Sequence, residues 1–99
     1  PIQTWLVTDS CNDGIDVAWA LYSQDRDWSW PEPPDAFLTP GLNYDQYEDI
    51  TCIEGELICF GATAGDISWG VGLSGDQPCD DCCFFCDTTL IDVGLLTCS

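Results

Sequence analysis

Cysteine offers the widest choice of chemistry in this chain of 99 residues, which contains eight of them. The run from Cys79 to Cys86 has two CxxC pairs, the spacing of zinc knuckles, but knuckles that share an ion normally lie a dozen or more residues apart. So high a cysteine density in a short chain is typical of disulfides formed in an oxidising compartment. The sequence therefore predicts a secreted, extracellular protein whose disulfide-bonded residues are Cys11, Cys52, Cys59, Cys79, Cys82, Cys83, Cys86 and Cys98.

The acidic residues suggest a second chemistry, the binding of calcium. Asp and Glu number 18 against a single basic residue, Arg26, which gives a net charge of −17. Asp76, Asp80 and Asp81 crowd one loop, and calcium takes about six to eight oxygen ligands from carboxylates and loop carbonyls. This loop is the candidate metal site, and calcium is the one cofactor that the sequence suggests. The alternative is a solvated acidic surface that holds counter-ions weakly.

The residue types that most enzymes need are missing from the chain. It has no histidine and no lysine, which excludes Ser-His-Asp and Cys-His catalysis, Schiff bases and P-loops. Glu54 and Glu56 have the spacing of an inverting glycosidase pair on a strand, but Gly55 between them favours a solvated hairpin tip. A chain this short also has little room for a substrate cleft. The sequence predicts that the protein is not an enzyme.

Charge and hydropathy also exclude two classes of partner. One arginine cannot neutralise several phosphates, and the acidic surface repels nucleic acid and anionic lipid alike. No apolar run approaches the roughly 20 residues of a membrane-spanning helix. The sequence therefore predicts neither nucleic-acid binding nor membrane insertion.

Aromatic side chains give the clearest candidate contact site. Trp28 and Trp30 lie in a proline-rich segment, where exposed indoles beside carboxylates suit the stacking of a sugar or the contact with another protein. The alternative is that they fold back as a lid over the end of the core. Trp5, Trp19 and Trp69 fall within strand-like runs, and for them the sequence favours the core.

The elements that must position these residues are β-strands throughout. Short β-prone runs alternate with Gly, Pro and Asp turns, and no segment with helical periodicity reaches about ten residues. We expect one domain over residues 1–99, a small disulfide-stapled β-sandwich or barrel of six to eight short antiparallel strands with little helix. Segments 23–35 and 72–81 are predicted as long irregular loops. The predicted strands are Ile2–Thr8, Gly14–Tyr22, Tyr44–Thr51, Glu56–Ala62, Ile67–Val71, Cys83–Thr88 and Leu90–Thr97.

Three functional hypotheses follow, and the first is a non-catalytic extracellular structural or surface protein that self-assembles as a filament, matrix or coat subunit. Its candidate contacts are Trp28 and Trp30, together with Ile2, Trp5 and Val7 on an N-terminal strand that could add to a neighbour's sheet edge. The alternative is a lectin-like or calcium-dependent module that binds a glycan or protein ligand. The third is a small secreted effector or inhibitor, whose acidic face docks on a basic partner.

Overall fold

A computed structural model describes residues 1–11, 14–31, 35–73, 75, 77–79 and 81–98. Within these ranges the chain forms nine strands and no helix, which confirms the predicted all-β class. The strands are β1 (Ile2–Asp9), β2 (Ala18–Ser23), β3 (Ser29–Trp30), β4 (Phe37–Leu38), β5 (Asp45–Thr51), β6 (Leu57–Ala64), β7 (Ile67–Gly70), β8 (Cys83–Phe85) and β9 (Leu90–Leu96).

The strands form two sheets that enclose one hydrophobic core, as in a sandwich. The first sheet has three strands in the order β5-β1-β9, and the second has six, in the order β3-β2-β6-β7 with β4 beside β2 and β8 beside β6. All pairings are antiparallel except that of β1 with β9, which is parallel. The structure thus refines the predicted topology, since the described residues form nine strands and one parallel pair.

Two differences from the predicted strands lie around the proline-rich segment. Segment 23–35, predicted to be irregular, contains β3, which pairs with β2 through Leu21 and Tyr22. Conversely, residues 14–17 of the predicted strand Gly14–Tyr22 precede β2. The Val17 N–H is donated to the side-chain hydroxyl of Thr39 at 2.9 Å, so a side chain takes the place of a ladder partner there. Alternation of apolar residues therefore marks an extended chain without marking where pairing begins.

The core is built by alternation on strands of both sheets. Trp5 and Val7 of β1 face Trp19 and Leu21 of β2, and all four side chains are fully buried. The core also holds the buried side chain of Gln3, whose oxygen accepts the Trp5 indole N–H at 3.0 Å and whose nitrogen donates to the Phe85 carbonyl at 3.1 Å. Both polar atoms of this amide are paired, so it can be buried inside the sandwich. The same holds for every buried side-chain polar atom of the described residues.

All eight cysteines are paired in four disulfide bonds. The pairs are Cys11–Cys98, Cys52–Cys86, Cys59–Cys83 and Cys79–Cys82. Cys82 and Cys83 have different partners, but their sulfur atoms are only 3.9 Å apart, because Cys82 precedes β8 and strand alternation does not apply to it. Four disulfides indicate an oxidising, extracellular-type environment.

We expect Gly61→Ala to lower the free energy of unfolding by about 2–3 kcal/mol, since overpacked cores lose amounts of this size. Gly61 pairs with Gly70 across the β6–β7 hairpin, and a Cβ at Gly61 would lie 2.0 Å from the backbone oxygen of Gly72. Urea unfolding followed by circular dichroism measures the loss. Gly94→Ala is the control, because Gly94 has a φ of +83° but no neighbour within 4 Å, and we expect it to lose only about 1 kcal/mol. Equal losses would contradict the close approach of the backbone at Gly61.

Candidate functional site

Trp28 and Trp30 lie at one flank of the sandwich, where β3 of the large sheet approaches β5 of the small one. The Trp30 indole N–H is donated to the Thr51 carbonyl on β5 at 3.1 Å, which fixes this ring across the gap between the sheets. Trp30 is half-buried, whereas Trp28 keeps 50% of its surface exposed. The two rings predicted as contact residues therefore lie at the surface, and one of them is anchored.

The only cation among the side chains lies against both indoles. The guanidinium carbon of Arg26 is 5.3 Å from the centroid of the Trp28 ring and 5.5 Å from that of Trp30. Both distances fall within the range of cation–π attraction, which orients a guanidinium against the negative face of a ring. Arg26 and the two tryptophans thus form one cluster, which joins the loop between β2 and β3 to β3 itself.

Glu56 fixes the position of Arg26 through an ion pair. Its carboxylate accepts from Arg26 Nε at 2.5 Å and Nη2 at 3.3 Å, from the Ser23 hydroxyl at 2.5 Å and from the Ile53 N–H at 3.1 Å. Burial alone raises the pKa of Glu56, but these hydrogen bonds and the charge of Arg26 outweigh it, so the pKa lies below its ordinary value. The ion pair therefore stays charged at neutral pH.

The predicted solvated hairpin tip is wrong for Glu56. The residue is buried, whereas Glu54 on the other side of Gly55 is exposed. The chain reverses here because the Gly55 N–H is donated to the Cys86 carbonyl and the Glu56 N–H to the Ile53 carbonyl. These bonds turn Glu56 towards Arg26 and leave Glu54 in solvent. One feature of the sequence could have suggested such a pair. Arg26 is the single basic residue among 18 acidic ones, so a carboxylate was the expected partner of its guanidinium.

A groove of about 510 Å³ opens beside this cluster. It runs along the flank between the sheets and combines a partly exposed indole, a fixed guanidinium and backbone of the edge strand β5. Its volume lies in the range of small-ligand sites. Among the residues that line it are Arg26, Trp28, Trp30, Phe37, Thr51 and Ile53.

A second surface feature is the outer face of the three-stranded sheet, which we call the apolar sheet face. Alternation along β1 sends Trp5 and Val7 inward, and therefore sends Ile2 and Leu6 outward. On the neighbouring strands Tyr47 is in register with Leu6, and Leu90 and Leu95 are in register with Thr4 and Thr8, which share the outward face of β1; all three are more than half exposed. The apolar sheet face consists of Ile2, Leu6, Tyr47, Leu90 and Leu95.

The N-terminal strand does not fit the predicted addition to a neighbouring subunit. β1 is the central strand of its sheet, and both of its edges are already paired, one with β5 and the other with β9. Trp5 and Val7 are fully buried in this chain's own core, so the prediction of these two as subunit contacts is corrected. Ile2 alone of the three predicted residues is exposed.

The predicted calcium loop lies mostly outside the described residues, because Asp76 and Asp80 are not among them. Asp81 is exposed and, with Asp92, borders an apolar cavity of about 410 Å³ between β9 and the large sheet. Within the described ranges the one group of three potential metal ligands is Cys59, Cys82 and Cys83, all of which are in disulfides. Calcium binding stays a prediction.

We compared the chain with known protein families, curated proteins and solved structures. No family model, curated protein or solved structure matches the chain. In the part of the chain that the structure describes, no helix has the length and hydropathy to cross a membrane. The groove and the apolar sheet face are therefore interpreted from their own chemistry.

Proposed function

We propose that the chain is a non-catalytic, secreted structural or surface protein that self-assembles through the apolar sheet face. The observation that carries this proposal is the exposure of four large side chains on one sheet face: Ile2 at 61%, Tyr47 at 58%, Leu90 at 52% and Leu95 at 66%. Threonine and aspartate side chains lie between these residues in the register of the sheet, but large apolar groups gathered on one face are typical of interaction sites. Disulfides suit a protein that has to last outside the cell.

We place a second copy of this chain on the apolar sheet face, where apolar contact has to outweigh the repulsion between like charges. Two molecules with a net charge of −17 repel each other over most of their surfaces. On the apolar sheet face, two of the carboxylates are already satisfied by neighbouring hydroxyls, since Asp49 accepts from Thr4 at 2.5 Å and Asp45 from Thr8 at 2.7 Å. Two copies stacked on this face would bring Ile2, Tyr47, Leu90 and Leu95 into an apolar contact, and sheets stack well face to face.

The first test is the substitution Leu95→Ser. We expect it to weaken self-association at least about tenfold, because a leucine that is no longer buried forfeits about 1.5–3 kcal/mol. Sedimentation velocity across protein concentrations measures the association. Leu38→Ser is the matched control, since Leu38 is 61% exposed but lies on β4 of the other sheet, and its substitution should leave association unchanged.

Salt gives a second arm of the same test. Assembly driven by apolar contact against charge repulsion strengthens as salt rises, since ions screen the repulsion over about 8–10 Å at physiological strength. An interface held by ion pairs would respond in the opposite direction. A protein that stays monomeric at every salt concentration, or that loses as much association with Leu38→Ser as with Leu95→Ser, would contradict the proposal.

A further inference from the structure

We infer that the groove beside Trp28, Trp30 and Arg26 is a binding site for a neutral glycan. This site lies on the flank of the sandwich between β3 and β5, and its lining includes none of the five residues that define the apolar sheet face, although both surfaces use β5. It is therefore a function beyond self-assembly, and either can hold without the other.

The stacking surface is the indole of Trp28. Half of this side chain is exposed, while the Arg26 guanidinium lies over the ring and fixes its orientation. The face of an aromatic ring carries partial negative charge, and the C–H groups on one side of a pyranose carry partial positive charge. A pyranose laid on the face of the indole opposite Arg26 therefore gains both dispersion and electrostatic attraction.

Arg26 supplies hydrogen-bond donors beside that surface. A guanidinium has five N–H groups, and Glu56 receives two of them, through Nε and Nη2. No acceptor among the described residues takes the other three, and the side chain is 38% exposed. These donors are fixed in direction, so they match sugar hydroxyl and ring oxygens at little cost in side-chain entropy.

Charge selects a neutral sugar over an acidic one. The positive charge of Arg26 is compensated by Glu56 at 2.5 Å, so the groove carries no free cation to attract a carboxylate or sulfate. The protein's net charge of −17 repels a polyanionic chain. A cationic ligand, itself a hydrogen-bond donor, finds only donors on Arg26, and the carboxylate of Asp49 in the groove lining already accepts from Thr4. A polyhydroxylated neutral ligand meets neither penalty.

The groove is also organised before any ligand arrives. Trp30 is anchored by its bond to Thr51, and Arg26 by the carboxylate of Glu56, which Ser23 holds in turn. A site whose side chains are already ordered loses little conformational freedom on binding. The consecutive residues from Asp49 to Ile53 all line the groove, so a chain of sugar units has an extended surface to follow.

The test is a titration with soluble neutral hexasaccharides, with cellohexaose, mannohexaose and chitohexaose as probes and hexagalacturonate as the anionic comparison. Calorimetry and tryptophan fluorescence report binding. We expect at least one neutral probe to bind with a dissociation constant of about 1 mM or lower, with little dependence on salt or on EDTA. Hexagalacturonate should bind at least tenfold more weakly.

Trp28→Ala should weaken the binding at least tenfold, while Trp28→Phe should retain most of it. Phe85→Ala is the matched control, because Phe85 is an aromatic residue of 64% exposure that is absent from the groove lining. Near-UV circular dichroism checks that each variant is folded. The inference is overturned if none of the three neutral probes binds at 10 mM, or if Trp28→Ala binds like Phe85→Ala. Equal binding of hexagalacturonate, or loss of binding in EDTA, overturns it as well.

Discussion

Replacing Cys11 and Cys98 together by serine should lower the free energy of unfolding by about 4–5 kcal/mol. This bond spans a sequence separation of 87 residues, the largest of the four. In the chain-entropy treatment, the stabilisation by a disulfide grows with the logarithm of the loop that it closes, which gives about 4–5 kcal/mol for a loop of this size. Denaturant unfolding of the oxidised variant measures the loss.

The fold gives this disulfide a second role. β1 and β9 are parallel, so their carboxyl ends lie at the same end of the small sheet, where Cys11 follows one strand and Cys98 the other. β9 is an edge strand and pairs with β1 alone. Without the bond we expect the amides of β9 to lose hydrogen-exchange protection before those of β6. Leu90 and Leu95 would then no longer be held on the apolar sheet face.

Cys79→Ser with Cys82→Ser is the control pair for this prediction. These residues are only three apart in sequence, so the same treatment assigns their bond about 2 kcal/mol. The two double variants remove the same number of sulfur–sulfur bonds and differ mainly in the loop that is released. If they lose equal stability, loop entropy is not what the Cys11–Cys98 bond contributes.

Local patterning was sufficient to predict the fold class. Alternation in residues 15–21 and the apolar run in β6 predict strands because side-chain direction in a strand depends only on neighbouring residues. The turns at Gly55 and Gly65 could be located in the same way, because glycine readily adopts positive φ. Both glycines do so in the structure. These signals are local, so they do not depend on which strand pairs with which.

Partners distant in sequence could not be predicted in this way. The parallel pairing of β1 with β9 joins the two ends of the chain, and nothing in Ile2–Asp9 or Leu90–Leu96 encodes the direction of its neighbour. The disulfide pairs depend on the same long-range arrangement. The burial of Trp5 and Val7 follows from it too, because β1 becomes a central strand only once β5 and β9 have both docked.

The candidate groove was predictable in part. Trp28 and Trp30 stood out because prolines and charges around them argue against a core strand. Glu56 did not stand out, because an acidic residue next to a turn glycine usually faces water. Its burial depends on Arg26, which lies 30 residues earlier in the sequence and reaches it only after β2 and β6 have paired.

Arg26→Gln should lower the free energy of unfolding by about 2–4 kcal/mol at pH 7. The substitution leaves the Glu56 carboxylate buried without its cation, and an uncompensated buried charge is strongly destabilising. We place the loss below that of a fully buried pair, because Arg26 is partly exposed and water can enter the space it leaves. Glu54→Gln, which alters the exposed neighbouring acid, should change stability by less than about 0.5 kcal/mol.

The loss should depend on pH in a defined direction. In the native protein the pKa of Glu56 is lowered from its ordinary value of 4.5, so its contribution to stability is complete above that value and disappears as the pH falls through the lower folded pKa. In Arg26→Gln, burial without the cation should raise the pKa of Glu56. The variant should therefore lose most stability at neutral pH, and the difference from the native protein should shrink as the pH falls from the raised pKa of the variant to the lowered pKa of the native protein, a window that spans 4.5.

The double variant Arg26→Gln with Glu56→Gln isolates the cause. If an uncompensated charge is responsible, removing the carboxylate should restore part of the stability that Arg26→Gln loses at pH 7. The difference between the double variant and Glu56→Gln alone should then not change with pH through the titration range of Glu56, because neither variant has a carboxyl at that position. The amide of glutamine can still accept the Ile53 N–H through its oxygen and can donate to the Ser23 hydroxyl through its nitrogen, so the turn at Gly55 keeps its bonds. A double variant no more stable than Arg26→Gln would instead assign the loss to the contacts of Arg26 with Trp28 and Trp30.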